Sequence, residues 1–190
     1  MDGKTSNGYA RSNGINKDVE TANTMSIYSN NYGISLIQDY ISDKTNEIPM
    51  GPKLLGQLQL NGCVVTADAL NTQVETIKAI LKGKADYVLP AKENQLLTYT
   101  EIKEYFEDKY LFEEAKKINY KKITSKEHNG IITREYCMVD DIKWMNKKEK
   151  WLGLKSIGVA RNTIERDNKK TVKIDITKHL KRMALRILEY

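Results

Sequence analysis

The two carboxylates whose positions could support chemistry are Asp68 and Asp2. Asp68 stands near the carboxyl end of Gly62–Leu70 (GCVVTADAL), the clearest strand in the sequence. Open α/β sheets hold ligands just beyond the carboxyl ends of their strands, so an acid there is a candidate ligand for a hard divalent cation. An aspartate ending a strand also serves as a helix cap or turn former, and spacing alone leaves both readings open. Asp2 belongs to Asp2-Gly3-Lys4-Thr5, which by itself reads as a turn with a charge on each side. It is not a Walker-type phosphate loop, because the glycine at the required spacing and the strand before it are absent. No paired base or nucleophile stands behind either acid, which ranks an unrelated small α/β enzyme using Asp68 last.

The elements that must position these residues follow from periodicity. Gly62–Leu70 is apolar without alternation, as expected of a central strand covered on both faces. Thr72-x-x-Glu75 has the form of a capping box, opening a helix with Val74, Ile77, Ile80 and Leu81 on one face. Gly83 is suited to end that helix in the left-handed conformation. Tyr87–Ala91 reads as a strand, and Thr98-x-x-Glu101 opens a second capped helix with Ile102, Tyr105 and Phe106 inward. Upstream, strands near Thr24–Ser29 and Gly33–Ile41 form a hairpin through Asn30-Asn31-Tyr32-Gly33. Pro49 and Pro52 start a helix with Leu54, Leu55 and Leu58 as its apolar positions. Downstream, Ile118–Ile123, Ile131–Val139, Ser156–Ile164 and Thr171–Ile176 read as strands. Thr177–Leu188 reads as a basic amphipathic helix with Leu180, Met183, Ala184 and Ile187 on one side. The expected class is α/β: a mixed sheet with flanking helices, then a β-rich basic C-terminal part. Tyr99, Tyr105 and Tyr110 are assigned to packing rather than to a base-stacking platform, and His128 to an exposed turn.

Bulk properties narrow the field. The chain has 190 residues, 40% hydrophobic and 29% charged, the balance of one soluble globular domain. Its apolar runs are too short to span a bilayer, and residues 1–10 lack the apolar core of a signal peptide. A cytoplasmic location is expected. Cys63 and Cys137 are too few for a disulfide framework and too isolated for zinc, and both are expected as buried thiols. The net charge of +6 is uneven. Residues 1–113 hold 11 Lys+Arg against 15 Asp+Glu, whereas residues 114–190 hold 20 against 10. A basic half suits phosphate backbones, because neutralised phosphates release counterions, although a lysine-rich solvated surface has the same composition.

Four stretches, in order, resemble the transposases of the H-repeat-associated (ISAs-type) DDE insertion sequences. They are Asp2-Gly3-Lys4-Thr5, Lys44-Thr45-Asn46-Glu47-Ile48-Pro49, Val64–Gln73 (VVTADALNTQ) and Ala85–Gln95 (ADYVLPAKENQ). Weaker echoes lie at His128–Tyr136 (HNGIITREY) and Trp151–Ile157 (WLGLKSI), so the match reaches about residue 173. The resemblance implies a ribonuclease H-like fold whose three acids hold two Mg²⁺ (or Mn²⁺) ions for phosphodiester cleavage and strand transfer. It places the first two catalytic and metal-binding acids at Asp2 and Asp68, and DNA contacts at Lys4, Lys92, Asn94, Gln95 and Arg134. The implied partner is DNA at insertion-sequence terminal repeats.

Two departures from that family set the functional expectation. Its first acid ends a hydrophobic strand in the middle of the sheet, whereas here only Met1 precedes Asp2. Its third acid lies in a Trp-x-Ile-Glu-Asn motif, which has no counterpart around Trp144 or Trp151. Glu165 and Glu189 are the remaining acids in that region, and neither fits the motif. The expectation is a transposase shortened at its N-terminus and internally deleted near its C-terminus, with an incomplete ribonuclease H-like sheet and little or no strand cleavage or transfer activity. The expected layout is an N-terminal remnant over 1–20, a core over 21–173 with its β-rich insertion from about 115, and a C-terminal helix over 174–190. The rival reading is a non-catalytic DNA-binding protein that competes with an intact transposase.

Overall fold

Backbone groups need partners, and the hairpin that opens the chain supplies them. In the computed structural model, which describes residues 2–6, 22–41, 47–127, 130–146, 148–166 and 169–179, β1 (Asp2–Ser6) pairs antiparallel with β2 (Ala22–Ser29). β2 in turn pairs antiparallel with β3 (Ile34–Ile41), across a turn in which Gly33 takes φ +67° and its N–H donates to the Ser29 carbonyl at 2.9 Å. That is the hairpin expected from Asn30-Asn31-Tyr32-Gly33. Asp2-Gly3-Lys4-Thr5 is not a turn: Asp2, Gly3 and Lys4 lie opposite Ser26, Met25 and Thr24 as strand. Ladder bonding to β2 outweighs the turn preference of the isolated tetrapeptide. Contacts divide the chain into two units, Met1–Asp86 and Tyr87–Tyr190.

Within the first unit, Met25, Ile27 and Ile41 are buried from the three-stranded sheet. α1 (Glu47–Leu55) packs on β2 and β3 and buries Leu54 and Leu55, while Leu58 falls beyond its end. The strand expected over Gly62–Leu70 is only β4 (Val64–Thr66). Gly62, at φ +76°, and a Cys63 N–H to Leu60 carbonyl bond of 2.9 Å turn the chain just before it. Val64 is 39% exposed, so β4 is not covered on both faces. α2 (Val74–Lys82) buries Ile77 and Ile80 as its stripe predicts. Its capping box does not form, because the Thr72 hydroxyl donates to the Asp68 carbonyl at 3.0 Å and Gln73 occupies the cap position. Gly83 is not left-handed either; Lys84 takes that conformation at φ 56°. A glycine suits position 83 because a Cβ there would sit 3.1 Å from Leu60.

The second unit carries α3 (Leu96–Glu107), α4 (Lys109–Ile118), β6 (Tyr120–Glu127), β7 (Gly130–Val139), β8 (Ser156–Arg166) and β9 (Lys169–His179). With β5 (Asp86–Ala91) the strands run in the order β5-β9-β8-β7-β6, each pair antiparallel. β5 therefore shares one sheet with the β-rich part. The helix expected from Thr177 starts on strand residues: Lys178 lies opposite Leu89 on one side and Ile157 on the other. Two ladder partners override the amphipathic pattern there, and residues 180–190 lie outside the described residues. α3 starts at Leu96 rather than at a Thr98 cap, since Thr98 and Glu101 are both used in tertiary bonds. α4, which the hydrophobic pattern did not delimit, is opened by Asp108, whose carboxylate accepts from the Leu111 N–H at 2.8 Å. Tyr87, Leu89, Ile102, Phe106 and Ile157 form the fully buried centre.

The two thiols differ. Cys63, expected buried, is exposed in its turn, whereas Cys137 is buried on β7. Burial pushes the Cys137 thiol up to about 11. Iodoacetamide at pH 8 is therefore expected to label Cys63 in the native chain and to reach Cys137 only after unfolding, as peptide mass mapping would show. Since the folded state holds the Cys137 proton more tightly, its contribution to stability is complete below the ordinary thiol value of 9.0 and is lost as pH rises toward about 11.

Candidate functional site

Asp68 follows β4 by two residues and lies exposed in the connection to α2. Its Oδ1 accepts two bonds from Asn71, from the backbone N–H at 2.9 Å and from Nδ2 at 3.0 Å. The Thr72 hydroxyl closes the same turn on the Asp68 carbonyl. Of the two readings left open by the sequence, turn former is the one this geometry displays. Asn71 and Thr72 are fully buried beneath it, and Asn71 Oδ1 and Thr76 Oγ1 are buried without a hydrogen-bond partner. Asn71 was missed by the sequence reasoning; the Asp-x-x-Asn spacing of an Asx turn was the available signal.

The other expected site residues spread over both units. Asp2 and Lys4 are strand positions of β1, opposite Ser26 and Thr24. Lys92 is exposed at the end of β5, and its carbonyl accepts from the Gln95 N–H at 2.8 Å, closing a short 3₁₀ turn over Glu93–Gln95. That turn places Lys92, Asn94 and Gln95 within four residues of one another just past β5, whose neighbour β9 runs antiparallel to it. Arg134 stands apart on β7, half-buried between Ile123 and Asn162, and donates to Ser125 Oγ at 3.2 Å.

Among the described residues the donor set does not fit a pair of divalent cations. Two such ions need several shared carboxylates, and among the described residues no group of three or more His, Cys, Asp or Glu side chains converges. β1 lies at the edge of the three-stranded sheet, not in its middle, and β4 is not among that sheet's strands.

The clearest polar networks lie elsewhere, in the β7–β8 connection. Trp151 is 3% exposed and its Nε1–H donates to Thr98 Oγ1 at 2.9 Å. Tyr87 donates its hydroxyl to the Leu152 carbonyl at 3.0 Å, and burial raises its ionisation well above the ordinary tyrosine range. Trp144 stacks in parallel on Tyr105. No helix among the described residues is long and apolar enough to cross a membrane.

The profile of the family described as "Transposase DDE domain" matches residues 2–178. An "Uncharacterized protein in dhlA 3'region" of Xanthobacter autotrophicus is 28% identical over 131 residues, 67% of this chain and 42% of that protein. "Putative transposase YncI" of Escherichia coli O157:H7 is 37% identical over 95 residues, covering 50% of this chain and 24% of that protein. "H repeat-associated putative transposase YhhI" of Escherichia coli (strain K12) is 28% identical over 140 residues, 72% of this chain and 36% of that protein. The chain thus spans less than half the length of these relatives. No solved structure matches it.

Proposed function

Because the chain belongs to the transposase DDE domain family, we propose that these 190 residues are a transposase-derived DNA-binding protein that does not cut DNA by itself. The observation that carries this is the Asp68 turn: the carboxylate the family resemblance assigns to catalysis is engaged with Asn71. The sequence also has no Trp-x-Ile-Glu-Asn motif to supply a third acid. DNA binding draws on the basic half, 20 Lys+Arg against 10 Asp+Glu after residue 113, and on the turn that gathers Lys92, Asn94 and Gln95. Within this reading the antiparallel β1-β2-β3 ladder followed by α1 descends from a ribonuclease H-like sheet, and Asp2 and Asp68 are the counterparts of the family's first two metal-binding acids, too few to hold Mg²⁺ or Mn²⁺ here. Lys4 and Arg134 remain candidate phosphate contacts, and terminal repeats of an insertion sequence are the candidate DNA.

Supercoiled plasmid incubated with the purified chain and Mg²⁺ or Mn²⁺ is expected to stay closed. A metal-dependent nick that disappears in Asp68→Asn would overturn the non-cleaving part. Gel shift with terminal-repeat DNA is expected to show binding that weakens steeply between 50 and 200 mM salt, the range over which counterion release acts. No retarded complex at low salt would remove the DNA-binding part and leave ancestry alone. The same complex would compete with an intact transposase for element ends, a role the basic half permits.

A further inference from the structure

The last strand of a sheet leaves its outer N–H and C=O groups without ladder partners, and folds guard such edges against pairing with another chain. Among the described residues nothing pairs with the outer side of β3, which ends the order β1-β2-β3. The other outer strand, β1, is five residues long and carries Lys4. β3 is eight residues long, reads ISLIQDYI, and has neither a lysine nor a proline to deter a neighbour. Its solvent face is apolar, with Ile34 53%, Leu36 46% and Tyr40 72% exposed. The register slips once, leaving Leu36 without a partner on β2, but residues 37–41 keep a regular ladder.

Asp39 is the one charged residue of β3, and it is held across the open edge. Its Oδ1 accepts from the Tyr40 N–H at 2.9 Å, and its Oδ2 accepts from the Lys53 ammonium on α1 at 3.0 Å. The Tyr40 N–H is thus given to a side chain and not to Thr24 across the ladder, so it belongs to the outer edge. The hydrogen bond from Lys53 holds the Asp39 carboxyl below the usual carboxylate range, and the charge is present at neutral pH. As an ion pair it contributes little stability, because both side chains stand in water. What it supplies is a charge at a place where another strand could add.

We propose that Asp39 guards the β3 edge, and that once the carboxylate is removed a second copy of this chain adds there, β3 to β3. The inference does not depend on DNA binding. Two identical strands meeting antiparallel are self-complementary about a two-fold axis. With Gln38 on that axis, Leu36 of one copy lies opposite Tyr40 of the other, an apolar cross-strand pair. The same register sets each Asp39 opposite Ile37 of the other copy and calls on the Tyr40 N–H that Asp39 already occupies. Both carboxylates must then leave water beside apolar side chains, which costs more than one ladder bond returns.

Sedimentation velocity of the full chain over a range of concentrations reads the association. Wild type is expected not to associate through this face, and Asp39→Ala to self-associate on the order of 10-fold more tightly. Lys53→Ala is expected to match wild type, because the guarding charge remains. Adding Gln38→Lys to Asp39→Ala is expected to restore wild-type behaviour, since the axis sets two lysines directly opposite each other. If Asp39→Ala fails to fold, judged by circular dichroism, Asp39→Ser decides by the same comparison. A folded Asp39 variant that sediments as wild type overturns the proposal. So does association that Gln38→Lys does not relieve, or a wild type that already associates and is relieved by Gln38→Lys. Lys53→Ala that associates as strongly as Asp39→Ala overturns it too, because the ion pair and not the carboxylate is then the guard.

Discussion

Trp151→Ala is expected to lower the free energy of unfolding by roughly 3–5 kcal/mol, the range for truncating a buried large aromatic. The indole is 3% exposed and does three things at once. It fills core volume, it donates to Thr98 Oγ1 inside α3, and it carries the Lys150 ammonium 5.4 Å from its ring centre. The segment around it is closed by the Trp151 N–H to Lys148 carbonyl and Leu154 N–H to Trp151 carbonyl bonds, at 2.9 and 3.0 Å. The neighbouring Leu152 carbonyl is held by Tyr87, the first residue of the same unit and fully buried on β5. Removing the indole therefore loosens α3, β5 and the β7–β8 connection together. Since domains retain only about 5–15 kcal/mol in total, the loss is large. Urea unfolding followed by circular dichroism measures it. Trp151→Phe keeps much of the volume but abandons Thr98, and is expected to cost about half as much. A loss below about 1 kcal/mol for the alanine variant would mean that this connection is not part of the core.

How much of this was legible in the sequence depends on the kind of information each residue carries. Local backbone preference read well where it faced no competition: Asn30-Asn31-Tyr32-Gly33 makes its hairpin, and the apolar stripe of α2 buries Ile77 and Ile80. Capping motifs read badly, for one physical reason. Thr72, Thr98 and Glu101 are polar side chains near helix starts, but each found a partner outside the cap: the Asp68 carbonyl, the Trp151 indole and Asn146. A four-residue pattern cannot reveal a donor that sits 45 or 53 residues away. The strand state of Thr177–His179 was hidden similarly, because it is fixed by ladders to β5 and β8 that an amphipathic period does not encode. At the candidate site, the family stretches were legible as stretches. What Asp68 does with its oxygens was not, since that depended on a buried Asn71 amide.

That amide makes the role of Asp68 measurable. Asp68→Ala is expected to cost about 1–2 kcal/mol, because it strands the Asn71 N–H and Nδ2, which lose their common acceptor. Asn71→Ala is expected to cost about 1–3 kcal/mol, since the residue is fully buried. The two losses should be strongly non-additive, with a coupling on the order of 1 kcal/mol in a double-mutant cycle. Asp68→Asn is the informative third variant. Its amide oxygen can still accept both bonds while the charge is gone, so a turn former survives the change and a cation ligand does not. The turn reading therefore expects Asp68→Asn to fall within about 0.5 kcal/mol of wild type. It also expects a melting temperature that does not move with added Mg²⁺, because a cation that binds the folded state must stabilise it by mass action. If Mg²⁺ raises the melting temperature of the wild type but not that of Asp68→Asn, the carboxylate is a ligand after all. Asn71 would then be the residue that holds it in place, and the absence of cutting would have to come from the missing acid alone.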